Sequence, residues 1–187
     1  MSDTALQPTI DSLWSACTPD EHREMLESVL RSAPVALANP ETAGSYEEFF
    51  DAVAAANNVQ SKAFRRYPVK QQRGFAVKVI DTPGFARFRE FAIRDWLLLH
   101  HRPLLRQLCD AVGVAHEDGM ITGDATPPTD KVRSGLASLI ASAPARPCAV
   151  YIGFLVATEM SGFGDLASAV TAENYNVHGV LTRPVVA

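Results

Sequence analysis

The sequence predicts a mainly helical α+β fold, a single domain with a small antiparallel sheet, with an all-α fold as the alternative. Three observations carry this reading. Apolar residues recur at three- and four-residue steps through several segments, each opened by a recognisable helix cap. One short stretch, GFAVKVI at 74–80, instead alternates and is rich in β-branched residues. Finally, 187 residues with 47% hydrophobic and 20% charged content suit one compact core.

Taken in order, the chain opens with a short helical piece from Ile10 to Cys17 carrying Leu13 and Trp14. Thr18, Pro19 and Glu21 form a capping box with proline at the first helical position, so a helix starts there and turns Met25, Leu26, Val29, Leu30 and Ala33 inward until Pro34. A loop at Asn39, Pro40 and Gly44 leads to a second box, Ser45 with Glu48, and a helix through Phe49, Phe50 and Val53. Beyond it the chain breaks at Tyr67-Pro68. Phe75, Val77 and Val79 then alternate with Ala76, Lys78 and Ile80, which predicts a strand over 74–81; a helix from Pro68 to Ile80 is the alternative.

The strongest pattern lies in residues 82–113. Thr82 and Pro83 mark a helix start, and Phe85, Phe88, Phe91, Trp96 and Leu99 form one stripe, with Glu90 and Arg94 at ion-pair spacing on the wet side. Pro103 interrupts this helix, and a second follows with Leu104, Leu105, Leu108, Cys109 and Val112 inward and Gly113 as its stop. Loss of Trp96 or Phe88 then threatens folding. Residues 116–130 have the Gly, Asp and Pro density of an exposed loop, and a helix follows from Asp130 to Ser142. CAVYIGFLVA at 148–157 suits a buried strand or a core helix equally, a last helix covers Asp165 to Ala172, and NVHGVLTRPVVA reads as an extended tail or edge strand.

Charge divides the chain into three parts. Residues 1–59 carry 2 basic and 10 acidic side chains, 60–106 carry 11 basic and 3 acidic, and the rest carry 4 basic and 8 acidic. Either the acidic helices 1–59 fold against the basic strand and helix pair of 60–113, with 114–187 completing the domain, or the basic middle meets an acidic partner. The overall charge of −4 argues against nucleic acid as a partner. No apolar run reaches the roughly 18–20 residues of a membrane span, and MSDTALQPTI lacks the pattern of a signal peptide, so the expected setting is the cytoplasm. Three dispersed cysteines, Cys17, Cys109 and Cys148, read as buried thiols.

No catalytic signature stands out. Adjacent helical residues such as His100 and His101 point about 100° apart and do not chelate one ion from one face. With Asp95 and Glu90 they are nonetheless the candidates for an enzyme whose site assembles only in space. SGFGD at 161–165 lacks the strand and acid of a nucleotide fingerprint. The best candidate surface is Arg65, Arg66, Tyr67, Lys70 and Arg73, followed by Phe75, Val77 and Val79 on the expected strand, whose free edge suits an extended peptide with acidic side chains.

The residues Tyr67-Pro68, Arg73-Gly74-Phe75 and Trp96 through Pro103-Leu104-Leu105 place YPVKQQRGFAVKV ahead of RDWLLLHHRPLLRQL. That pattern resembles the small partner subunits of multinuclear-iron peptide-modifying oxygenases, of the methanobactin and thiaglutamate biosynthesis type. The resemblance implies a chain that carries no cofactor, with the iron in a partner enzyme. It further implies a ribosomally made precursor peptide as ligand and a heterodimer with the iron-dependent enzyme.

Overall fold

The structure is a computed structural model and describes residues 8–123, 126–159, 163, 166–173 and 175–182. The chain is mainly helical α+β with a small two-stranded antiparallel sheet, and it packs as two compact units. One comprises Thr18–Trp96, the other Met1–Cys17 with Leu97–Ala187.

In the Thr18–Trp96 unit, α2 (Pro19–Ala38) begins at the expected capping box, with Glu21 N–H donating to Thr18 Oγ1 at 3.2 Å and Thr18 N–H donating to the Glu21 carboxylate at 2.6 Å. It does not stop at Pro34. Proline removes a single donor, and α2 continues a further turn with Pro34 exposed. Helix α3 (Pro40–Ala56) starts at Asn39, whose side chain accepts from Glu41 N–H at 3.0 Å, six residues before the expected Ser45 box. Proline at the first helical position makes Asn39-Pro40 the stronger start.

After the single turn α4 (Ser61–Phe64), the expected strand over 74–81 is instead helix α5 (Val69–Val77), followed by a turn through Val79 and Ile80. The physical reason is the docking face. Gln72 and Ala76 are buried where α5 packs on α2 while Gly74 between them is exposed; a strand would put all three on one face, and a helix turns Gly74 away. Gln72 Nε2 also donates to the Phe64 carbonyl at 3.0 Å, closing the end of α4. A 3-10 turn (Pro83–Phe85) then leads into α6 (Ala86–His100), and Thr82 donates to the Val79 carbonyl instead of capping it. Phe49, Phe50, Phe64, Phe85, Phe88 and Phe91 form the aromatic core of this unit.

In the other unit, α1 (Ile10–Ala16) carries a Thr9–Ser12 capping box, and α7 (Arg102–Val112) ends as expected at Gly113, at φ +77°. The sheet lies in the stretch expected to be loop. Strands β1 (His116–Glu117) and β2 (Met120–Ile121) pair antiparallel across Asp118 and Gly119, both at positive φ. Asp-Gly between paired residues is the signature of a two-residue hairpin turn. Asp118 ties the hairpin to α7 by ion pairs to Arg102 and Arg106. Helix α8 (Thr129–Ser142) lies close to its expected limits, and α9 (Ala145–Ala157) resolves the apolar run as a core helix, every residue from Cys148 to Val156 being buried. Helix α10 (Leu166–Ala172) is followed by α11 (Val177–Leu181), capped by Asn176, where an extended tail was expected; residues 183–187 lie outside the described set.

Two helical glycines give opposite expectations for stability. Gly74 is exposed with open space where a Cβ would stand, so Gly74→Ala is expected to raise unfolding free energy by about 0.5–1 kcal/mol in denaturant titration. A Cβ at Gly135 would stand 2.7 Å from Val112 Cγ2, where α8 crosses α7, so Gly135→Ala is expected to lower it by about 1–3 kcal/mol.

Candidate functional site

The acidic helices and the basic middle do meet, and how they meet defines the candidate surface. Arg65 pairs with Asp51 at 3.0 Å and with Glu47 at 3.8 Å, both on α3. Arg73 of α5 pairs with Glu27 of α2 at 2.5 Å, and Arg87 of α6 pairs with Glu48 of α3 at 3.1 Å. Asp51 is held below the usual carboxylate range by the Ser61 hydroxyl and Arg65, and Glu27 by Arg31 and Arg73. These pairs are largely solvated, so each contributes modestly. Their effect is to neutralise Arg65, Arg73 and Arg87 within the unit.

Lys62, Arg66, Lys70 and Lys78 remain. All four are exposed, and none has a carboxylate partner among the described residues. Beside them Tyr67 stacks on Phe75, ring centroids 5.9 Å apart and planes at 20°, with the buried Phe64 ring edge-on to both. Lys78 Nζ lies 5.3 Å from the centre of the Phe75 ring. The eight residues expected to bind a partner therefore divide. Arg66, Lys70 and Val77 face solvent, while Tyr67 and Phe75 are half-buried. Arg65 and Arg73 are engaged by α3 and α2, and Val79 is buried. No strand edge exists at 74–81, so the expected pairing of a peptide through that backbone is corrected: α5 satisfies its own amides and offers only side chains.

Sequence reasoning passed over Lys62 and Lys78. Lys62 lies on α4 with Arg66 in the turn that follows it, and Lys78 stands eight residues after Lys70 at the end of α5, a spacing visible only once 69–77 is read as helix.

A second polar feature of the unit had no sequence signal. Tyr46 on α3 donates its hydroxyl to Asp95 Oδ2 at 2.5 Å, and Arg94 holds Asp95 Oδ1 at 3.0 Å, although the residues lie 49 positions apart along the chain. Arg94 thus turns to Asp95 and not to Glu90 as its spacing suggested. Asp95 is 3% exposed. Burial raises its carboxyl above the ordinary value against the opposing pull of Tyr46 and Arg94, and burial with the neighbouring carboxylate raises Tyr46 as well. Alongside runs a cleft of about 260 Å³ between α3 and α6, with Glu48, Arg87, Glu90 and Arg94 at its walls and Phe88 and Phe91 at its floor. Arg87 and Arg94 lie over those two rings at 4.7 and 4.6 Å.

Asp95, a candidate for an assembled catalytic site, is thus committed to Tyr46 and Arg94. His100 is exposed and His101 half-buried, with ring centroids 6.5 Å apart. Among the described residues no three His, Cys, Asp or Glu side chains converge as a metal site. Cys17, Cys109 and Cys148 are buried thiols outside any disulfide, and burial pushes the Cys109 and Cys148 thiols up to about 11. Such thiols are poor nucleophiles near neutral pH.

No protein-family model, curated protein or solved structure matches this chain.

Removing the Tyr46 hydroxyl leaves a buried carboxyl short of one donor, so Tyr46→Phe is expected to cost about 1–3 kcal/mol in denaturant titration at neutral pH. The carboxyl of Asp95 is raised on folding, so its contribution is complete below the unfolded value near 3.8 and is lost as pH rises through the folded value. Asp95→Asn is expected to flatten the stability profile over that interval. An unchanged profile contradicts the assignment.

Proposed function

We propose that this chain is a non-catalytic recognition subunit of the cytoplasm that holds a precursor peptide for a metal-dependent modifying enzyme and binds that enzyme. The observation that carries this reading is the set Lys62, Arg66, Lys70 and Lys78. Among the described residues these four exposed cations have no carboxylate partner, in a unit where Arg65, Arg73 and Arg87 are all paired. Unpaired charge of one sign steers a partner of the opposite sign and weakens as salt rises. The Tyr67–Phe75 stack beside it adds a rigid aromatic contact of the kind that dominates recognition energetics. Tyr67-Pro68 and Arg73-Gly74-Phe75, which carry the resemblance to partner subunits of iron-dependent peptide oxygenases, belong to this same surface. On this reading the partner enzyme supplies iron and the oxidative chemistry, while this chain contributes affinity and placement.

Chemical cross-linking in native extract, read by mass spectrometry, tests the role. Lys62, Lys70 and Lys78 are expected to link to an iron-containing enzyme or to a short peptide. The Lys62→Glu, Arg66→Glu double variant is expected to lose those links while its unfolding free energy stays within about 0.5 kcal/mol of the parent. Links confined to Lys131 on α8, or links that survive the double variant, overturn the reading.

A further inference from the structure

We infer that the outward face of α5 selects an acidic helix that presents one apolar side chain midway between two carboxylates. This rests on the recognition role and names the chemistry of the segment recognised. The face comprises Lys70, Gln71, Gly74, Val77 and Lys78, all exposed, and it lies opposite the buried Gln72 and Ala76. Lys70 and Lys78 stand eight residues apart, about 12 Å along the axis at 1.5 Å per residue. Gly74 lies midway, with nothing within 4 Å of the position a Cβ would take, and Val77 beside it is 40% exposed. The result is a shallow apolar notch between two ammonium groups.

Each part matches one feature of the ligand. Without a side chain at Gly74 a second helix approaches closely, and its apolar side chain meets Val77 across the notch. Carboxylates four residues to either side of that side chain span the same 12 Å or so as the two lysines. Lys78 rests over the Phe75 ring, so its ammonium is partly placed before the ligand arrives and loses less freedom on binding. The arginines beside the α3–α6 cleft are by contrast already matched, Arg87 with Glu48 and Arg94 with Asp95, and have less to offer an acidic ligand.

Fluorescence anisotropy with labelled 20-residue alanine-rich helical peptides tests the inference on the full chain. The parent probe carries Glu-x-x-x-Leu-x-x-x-Glu; one control replaces Leu by Ala, and the other moves both Glu residues to the opposite side of the helix. At low salt the parent is expected to bind about tenfold more tightly than either control, the scale set by burying one leucine. Gly74→Gln, which fills open space and leaves circular dichroism unchanged, is expected to erase that preference, and Lys70→Glu with Lys78→Glu to abolish binding. Equal affinity for parent and Leu→Ala control, or a Gly74→Gln chain that keeps the preference, overturns the inference. If cross-links to an enzyme are lost in the Lys62→Glu, Arg66→Glu variant while no apolar preference exists, the recognition role stands and this inference falls. If the preference is found but no enzyme is linked, the inference stands and the broader role falls.

Discussion

Phe49, fully buried on α3, has its ring centroid 5.5 Å from Phe88 and 6.3 Å from Phe91 on α6, and the rest of the Thr18–Trp96 unit depends on that contact. Edge-to-face and tilted aromatic pairs combine large buried area with directional preference, so they fix how two helices meet as well as whether they meet. Phe50 extends the cluster to Phe64, and Phe64 extends it to Tyr67 and Phe75. One connected set of rings therefore runs from the core of the unit to its cationic surface. The stacked pair at that surface is backed by Phe64, which is fully buried.

The same arrangement decides which charges remain available. Once α3 lies against α4 and α6, Glu47, Asp51 and Glu48 stand beside Arg65 and Arg87, and α2 brings Glu27 to Arg73. Desolvation is slight at these positions, so the pairs add little stability. Their larger consequence is selection: of the basic residues from 62 to 78, Lys62, Arg66, Lys70 and Lys78 are left with no carboxylate partner among the described residues. The buried Asp95 obeys a different rule. A carboxyl removed from water is costly unless its oxygens are occupied, and Tyr46 and Arg94 occupy them.

The elements that sequence located best were those with a long apolar stripe beside a capping box, a leading proline or a glycine stop. Thr18-Pro19 to Ala33, the stripe from Phe85 to Trp96, and Leu104 to Gly113 combine several concordant local signals over two or more turns. Short segments misled. GFAVKVI offers only three alternations, and a pattern that brief is outweighed by the gain from burying Gln72 and Ala76 against α2. The true sheet carried a plain local signal, Asp118-Gly119 between paired residues, which the surrounding polar composition masked.

What the sequence determined by itself is therefore the helical class, the principal helix starts, and the segregation of acidic from basic residues that makes the 18–59 and 60–96 segments attract each other. These are local or additive properties, readable from neighbours along the chain. Only the tertiary structure decided that α5 is a helix, that Asp95 is held by a tyrosine 49 residues away, and which four cations have no carboxylate partner among the described residues. Each of those depends on which surfaces are excluded from water when distant segments pack, and no single stretch of chain contains that information.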